Sequence, residues 1–207
     1  MIIKGIETKV LAYVFLLNAL VINTIIAQGK NEITITIRSI SNAGLSIHFD
    51  NAEKLRKEFN FNEAIKEYEK VIKNKDNSNL LPEATYNIGL CYTWLNDLVS
   101  ADFYFRKVII EFANDPVAVS FAHFGLSWIK VQQGKYYEAI EIIENDLNKN
   151  ECKDYEHNAV MMFQIGKIHK KYLQNFSKAD AIFKNIITTY PNSKIIKHPF
   201  FDHLRNK

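Results

Sequence analysis

One spacing pattern recurs four times along the chain and constrains the fold more than any other feature. Ala64, Ala101, Ala139 and Ala179 follow one another at intervals of 37, 38 and 40 residues. An aromatic residue or a leucine lies three positions before each alanine, and a large apolar residue lies four positions after it. Residues three and four apart share one face of a helix, so each copy predicts an amphipathic helix. Near-constant periods in this range are typical of stacked repeat proteins.

A second helical stretch precedes each of these helices and carries a small residue near its middle. Gly89, Ser127 and Gly166 hold this place in the last three copies, 12 or 13 positions before the alanine, and Ala52 holds it in the first. Two helices approach closely only where a side chain at the contact is small, so we expect this residue to face the alanine of the next helix. One helix pair cannot bury its own apolar face, and neighbouring pairs are therefore expected to stack.

The composition favours helices and argues against nucleic acid as a partner. The 207 residues include only 7 Gly and 4 Pro, and 47% of them are hydrophobic. This is enough for one domain or a short repeat array. The 26 Lys and Arg against 23 Asp and Glu leave a net charge of +3, and no run of five or more basic residues occurs. Such a balance is not typical of nucleic-acid-binding proteins.

The small residue in the first helix, the A-x3-F pattern in the second and the closing "YPNS" together resemble the tetratricopeptide repeat. The resemblance covers about residues 45–194 and implies an all-α fold, an α-solenoid of about four helix–turn–helix repeats. The periods exceed the family's usual repeat of about 34 residues, so longer loops or helix ends are expected. Long-period units ending in "YPNS" are similar to those of bacterial cell-envelope proteins of this family. The expected repeats span about residues 45–79, 80–116, 117–153 and 154–194.

The first residues of the chain have the pattern of a secretory signal peptide. Lys4 and Lys9 precede an apolar run over residues 10–26, and the small residue Ala27 follows it. A basic start, an apolar core and a small residue at the exit predict cleavage after Ala27, with residues 1–27 as the signal peptide. The alternative is an uncleaved membrane anchor, although a run of 17 residues is at the lower limit for spanning a bilayer. The chain is therefore expected in the periplasm or another extracytoplasmic compartment.

The segments on either side of the repeats differ from them. Within residues 28–44, the stretch "NEITITIRSI" alternates isoleucine with polar residues, which is the period of a strand. This segment is either an extended linker or a strand that pairs with a partner. Residues 195–207 are expected to form a capping segment that covers the last repeat with Phe200, Phe201 and Leu204.

No catalytic or cofactor-binding motif occurs. The sequence has no glycine-rich phosphate loop and no G-x-S-x-G, and no two histidines are spaced to share a helix face. Cys152, Asp154, Glu156 and His157 cluster within six residues. A polar inter-helix loop is favoured over a metal site there, since structural zinc uses more Cys and His at fixed spacing. We expect no enzymatic activity, no cofactor and no metal. Export would permit a disulfide between Cys152 and Cys91, but we do not expect one by default.

The resemblance implies that the first helices of successive repeats line a concave groove that binds a protein or peptide partner. The alternative is that the aromatic residues at these positions pack in the core between repeats. A scaffold in an envelope assembly is the expected function; the alternatives are a module that regulates or recruits substrate for an envelope enzyme, and glycan or small-ligand binding. A membrane contact is expected only through an uncleaved N-terminal segment, and no oligomeric state is predicted. By position, the groove residues would be Phe49, Glu53, Arg56, Tyr86, Leu90, Trp94, Phe121, Phe124, Trp128, Phe163, Lys167 and Lys170.

Export predicts that the mature chain begins near Gln28, because signal peptidase cleaves after the small residue that follows the apolar run. N-terminal sequencing of the protein recovered from an extracytoplasmic fraction measures this. An intact Met1 end in the membrane pellet would favour the uncleaved anchor instead.

Overall fold

Helices joined by short turns make up the described chain. The computed structural model describes residues 46–73, 79–149 and 151–205, so the signal peptide over residues 1–27 and the segment 28–44 lie outside it. No strand occurs in these described ranges, and the prediction of an all-α fold is confirmed for them. The helices of the repeats, each of 12 to 17 residues, are α1 (Ser46–Lys57), α2 (Phe61–Lys73), α3 (Leu81–Trp94), α4 (Leu98–Glu111), α5 (Pro116–Gln132), α6 (Tyr136–Lys149), α7 (Tyr155–Lys171) and α8 (Phe176–Thr189).

The helices pack as successive pairs. Each helix from α2 to α8 contacts its neighbours in the chain, and α1 joins α2 through Phe49 and Ala52. The first helices of successive pairs also meet directly, α3 with α5 and α5 with α7. Contacts concentrated between adjacent pairs are the pattern of a stacked helical repeat, in which each unit is stabilised by its neighbours. None of the helices in the described ranges is long and apolar enough to span a bilayer.

The turn inside each helix pair has one shared backbone feature. In all four pairs, a residue with left-handed backbone angles lies five positions before the repeated alanine of the second helix. Its N–H bonds back to the end of the first helix in the α3–α4 turn, where Asn96 donates to the carbonyl of Thr93 at 3.1 Å. Glycine and, to a lesser extent, asparagine adopt this conformation readily, yet two of the four turns have Phe59 or Gln174 there. The helix contacts on either side therefore set the turn. The residues are Phe59 (φ 63°), Asn96 (φ 60°), Gly134 (φ 74°) and Gln174 (φ 52°).

Polar side chains cap the N-termini of several helices. Asp97 accepts a hydrogen bond from the N–H of Ser100 at the start of α4, at 3.0 Å. Asp115 accepts a hydrogen bond from the N–H of Ala118 at the start of α5, and Asp154 accepts one from the N–H of His157 at the start of α7. Each cap satisfies backbone donors that the first helical turn leaves unpaired, which typically contributes about 1 kcal/mol. The short loops between helices are thus fixed at their C-terminal ends.

The repeated alanines form the centre of the core. Ala64, Ala101, Ala139 and Ala179 are all fully buried. The residues four positions after them are fully buried as well: Tyr68, Phe105, Ile143 and Phe183. The spacing read from the sequence therefore marks the packed face of each second helix, as helical periodicity requires.

The glycines of the first helices face aromatic rings. A Cβ atom built on Gly89 would lie 2.7 Å from the ring of Phe105, and one built on Gly125 would lie 2.6 Å from the same ring. Gly166 faces the ring of Phe183 in the same way. The side-chain atoms nearest each of these glycines belong to the aromatic residue four positions after the alanine of a second helix. Gly125 belongs to the following unit, so the Phe105 ring joins two units.

The chain after α8 closes the last unit with two 3-10 turns, Lys194–Lys197 and Pro199–Phe201, and the one-turn helix α9 (Asp202–Arg205). Phe201 is fully buried, with its ring centroid 5.2 Å from that of Phe183 and 5.8 Å from that of Phe163. Phe105 receives the following first helix at the equivalent place. The capping segment therefore covers the face on which a further first helix would pack.

Replacing Gly166 by alanine is expected to lower the free energy of unfolding by about 1–3 kcal/mol, because the added methyl group overlaps the Phe183 ring. Without that overlap the change would stabilise the helix by roughly 0.5–1 kcal/mol, since alanine favours helix over glycine. Urea denaturation followed by circular dichroism measures the sign.

The matched control is Gly166→Ala in a Phe183→Leu background, where the smaller side chain leaves room for the methyl group. There the penalty should shrink, and the difference between the two backgrounds is the coupling energy of the pair. A stabilised Gly166→Ala single variant would contradict the packing described above.

Candidate functional site

A row of aromatic rings crosses three successive first helices. The ring centroids of Tyr86 on α3 and Phe121 on α5 lie 5.7 Å apart, and Phe121 stacks on His157 of α7 at 4.0 Å. Phe124 meets the same imidazole edge-on at 6.1 Å. Tyr86, Phe121 and Phe124 are half-buried, so each packs against its neighbours and keeps part of its surface in solvent. We call Tyr86, Phe121, Phe124 and His157 the aromatic ladder.

A polar cluster holds His157 at the α7 end of the ladder. The Ser120 hydroxyl donates to Asp146 Oδ2 at 2.5 Å, and His157 Nε2 lies 2.9 Å from the same hydroxyl oxygen. His123 Nδ1 lies 2.5 Å from Asp146 Oδ1. An ionised carboxylate only accepts hydrogen bonds, so Ser120 and His123 are the donors to Asp146 and the His157 N–H donates to Ser120. The cluster joins residues of α5, α6 and α7.

Burial and charge act in opposite directions on this cluster. Burial lowers the pKa of His157 to about 4, although the carboxylates of Asp154 and Asp146 favour its charged form. Burial alone would raise the pKa of Asp146, but the hydrogen bonds from His123 and Ser120 outweigh it and hold that pKa below its ordinary value. The imidazole is therefore neutral and the Asp146 carboxylate ionised at neutral pH.

At the α1 end of the first-helix face, charged side chains form a hydrogen-bonded network in which their opposite charges pair. Glu53 accepts from Nη2 and Nε of Arg56, at 2.8 and 3.1 Å, from the Tyr68 hydroxyl, and from Asn87 Nδ2 at 3.1 Å. Burial raises the pKa of the Glu53 carboxyl, but the Arg56 guanidinium and the hydrogen bonds outweigh this and leave the pKa lowered. Asn87 belongs to α3, so the network also links the first two units. Its charges are satisfied within the protein.

The opposite end of the face carries lysines among aromatic rings. Lys167 Nζ on α7 lies 6.0 Å from the centroid of the Trp128 ring on α5. Lys170 Nζ lies 5.1 Å from the centroid of the Phe200 ring in the capping segment. These distances are in the range of cation–π contacts. The two ends of the face therefore differ in charge: one holds an internal ion pair, and the other holds amines beside rings.

The residues assigned to the groove by position differ in burial, and several of them pack against aromatic rings of the neighbouring helix. Phe49 packs edge-on against Tyr68 with centroids 5.7 Å apart, and Trp94 stacks on Phe61 at 5.6 Å. Binding by any of them stays a prediction. Phe49, Trp128, Phe163 and Lys167 are buried, while Glu53, Arg56, Tyr86, Leu90, Trp94, Phe121, Phe124 and Lys170 are half-buried.

The polar loop considered for a metal has other partners in the structure. Asp154 caps α7, Glu156 accepts from the Ser193 hydroxyl at 2.8 Å, and His157 bonds Ser120. Cys152 is a buried free thiol, as is Cys91, whose pKa burial raises to about 12. Across the described ranges, no group of three or more His, Cys, Asp or Glu side chains is placed to hold a metal ion.

Comparison with known proteins identifies one repeat. A family model for the tetratricopeptide repeat matches residues 161–193, which cover most of α7, all of α8 and the "YPNS" turn. A search of curated proteins finds no match to the chain. The family match supports the tetratricopeptide repeat for this chain, and the helix pairs before residue 161 follow the same packing. It gives no support to a likeness with envelope proteins in particular.

The His157 environment predicts a loss of stability in mild acid. Its pKa in the folded protein, about 4, lies below the ordinary value of 6.5. The neutral imidazole therefore contributes stability above that ordinary value, and the contribution is lost as pH falls from 6.5 towards 4. Urea denaturation at several pH values in this window measures the slope.

A His157→Gln variant keeps a hydrogen-bond donor towards Ser120 but removes the titration. Its free energy of unfolding should depend less steeply on pH in the same window. Some slope should remain, because burial also lowers the pKa of His169 and His198. An unchanged slope in the variant would show that the His157 proton is not coupled to folding.

Proposed function

We propose that the chain is a repeat scaffold that binds a protein or peptide partner along the face of its first helices, and that it is not an enzyme. The observation that carries the proposal is the aromatic ladder, which runs across three successive units and whose members Tyr86, Phe121 and Phe124 remain half-buried. Tetratricopeptide repeats generally mediate protein–protein interactions, and the family match over residues 161–193 supports this class of function.

The physical argument rests on how aromatic residues bind partners. Tyr86, Phe121 and Phe124 come from α3 and α5 and are fixed by contacts with one another and with His157. A ring already held in place loses little conformational freedom when a partner covers it, so it contributes more of its apolar area to affinity. Aromatic side chains are also enriched among the residues that dominate interface energies.

We also propose that the protein acts outside the cytoplasm, in an envelope assembly. The support is the basic start, the apolar run and the small residue at the end of residues 1–27. A second support is the resemblance of the long-period units ending in "YPNS" to envelope members of the family. The sequencing of the mature N-terminus described above tests the first of these directly.

Site-specific photocrosslinking tests the binding face. A photoreactive phenylalanine analogue at position 124 should crosslink a partner in intact cells, because that residue lies in the ladder. The same analogue at position 103 is the matched control. Phe103 is also a helical phenylalanine, but it lies on the second helix α4 and is 60% exposed. The expected result is a discrete crosslinked band from position 124 and none from position 103.

Alanine variants at the same two positions complete the test. Phe124→Ala should weaken binding of the crosslinked partner by about tenfold or more, while Phe103→Ala should leave it unchanged. Circular dichroism at the assay temperature shows whether each variant is folded. Crosslinking from position 103 alone, with binding insensitive to Phe124→Ala, would assign the interface to the second helices and overturn the proposal.

A further inference from the structure

Lys167 is the unusual residue of the first-helix face. Its side chain is almost fully buried, with 8% of its surface exposed, near the middle of the long helix α7. Among the described residues, no Asp or Glu forms an ion pair with it. Lysine is rarely buried to this extent without a partner, because removing an ammonium group from water is costly.

The surroundings of this amine are basic and aromatic. Trp128 lies on one side, with its ring centroid 6.0 Å from Nζ. Burial and, after it, the charge of Lys167 lower the pKa of His198 in the capping segment. Lys170 and Lys171 follow on the same helix. The site thus presents positive charge with no carboxylate among the described residues to balance it.

Arg56 shows how the protein treats a buried cation elsewhere on the same face. Its guanidinium is paired with Glu53 through two hydrogen bonds. Lys167 lacks such a partner, and burial lowers its pKa to about 8, with the charge of Lys171 adding to the effect. A carboxylate supplied from outside would reverse this penalty, because a nearby opposite charge favours the charged form of a buried group.

We infer that the partner segment carries a glutamate whose carboxylate pairs with the Lys167 amine beside the Trp128 ring. The inference rests on the proposed function, since it names the chemistry that the first-helix face recognises. Only a small part of Lys167 reaches solvent. A carboxylate at the end of a flexible side chain can reach that exposed part while the partner backbone stays on the surface. The Lys170 amine beside the Phe200 ring adds to the attraction at long range.

Pairing at this site has a consequence that can be measured. At about pH 8 the buried amine is partly neutral, and the carboxylate stabilises its protonated form, so binding takes up a proton. Titration calorimetry in buffers of different ionisation enthalpy reports that uptake on the unmodified protein. If Lys167 only filled space, peptide binding would take up no proton at this amine.

The test uses phage-displayed random peptides of about 12 residues, a length that spans several units of such a face, selected on the full chain. Selected peptides are expected to share a glutamate next to an apolar residue. Replacing that glutamate by glutamine should weaken binding to the wild-type chain by about tenfold or more. The same replacement should have little effect on binding to a Lys167→Met variant.

Lys171→Met is the matched control, since it removes one positive charge from the same helix at an exposed position. It should retain the discrimination between glutamate and glutamine. Peptides that bind through the aromatic ladder but tolerate glutamine, with no proton uptake, would overturn this inference and leave the proposed function standing. A selection that yields no binding peptide at all would contradict both. If Lys167→Met does not fold, the proton uptake of the wild-type chain decides.

Discussion

The ring of Phe105 lies against glycines of two different helices, Gly89 in its own unit and Gly125 in the next, and stacking of the second and third units depends on this contact. An aromatic ring gains dispersion energy only when its neighbours approach to van der Waals distance. The two glycines allow that approach from both helices, α3 and α5. The resulting position of α5 beside α3 brings Phe121 within reach of Tyr86, so the aromatic ladder follows from the same packing.

The unit boundaries are not equivalent in chemistry. The first boundary is linked by the half-buried network of Glu53, Arg56 and Asn87, and the second by the Phe105 ring. The third is linked by Ser120 and Asp146 with His157. Buried polar networks stabilise one arrangement only when each member is satisfied, so they specify register as well as affinity between units. The chain therefore combines apolar stacking with polar links that distinguish one unit from another.

The sequence predicted the helix pairs because their periodicity is local. The spacing around Ala101 and Ala179 identified residues that are fully buried in the structure. It did not identify Gly125, because that glycine has no counterpart at the small position used to align the units. The cluster around Ser120 was also missed, since its members are separated by 26 and 37 positions and no local motif connects them.

The position of a residue within its repeat predicted the groove residues less accurately than the periodicity predicted the helices. It placed Tyr86 and Phe121, which do meet across α3 and α5. It treated Trp128 as equivalent to them, although that residue is buried. Position within a repeat fixes the direction of a side chain, but exposure depends on the size of the residues in the neighbouring unit. The left-handed residues Phe59 and Gln174 were equally hard to foresee, because neither is a residue type that favours such turns.

The capping segment has a consequence for assembly. Repeat arrays that end in an open apolar face can add a further unit, including one from another molecule, and grow into open-ended polymers. Here Phe201 fills the space beside Phe183 that a following first helix would occupy. Backbone and side-chain hydrogen bonds from Ser193 and Lys194 to Glu156 hold this part of the chain in place. The face beside Phe183 is therefore covered by residues of the same chain, and a unit from another molecule would have to displace the Phe201 ring before it could stack there.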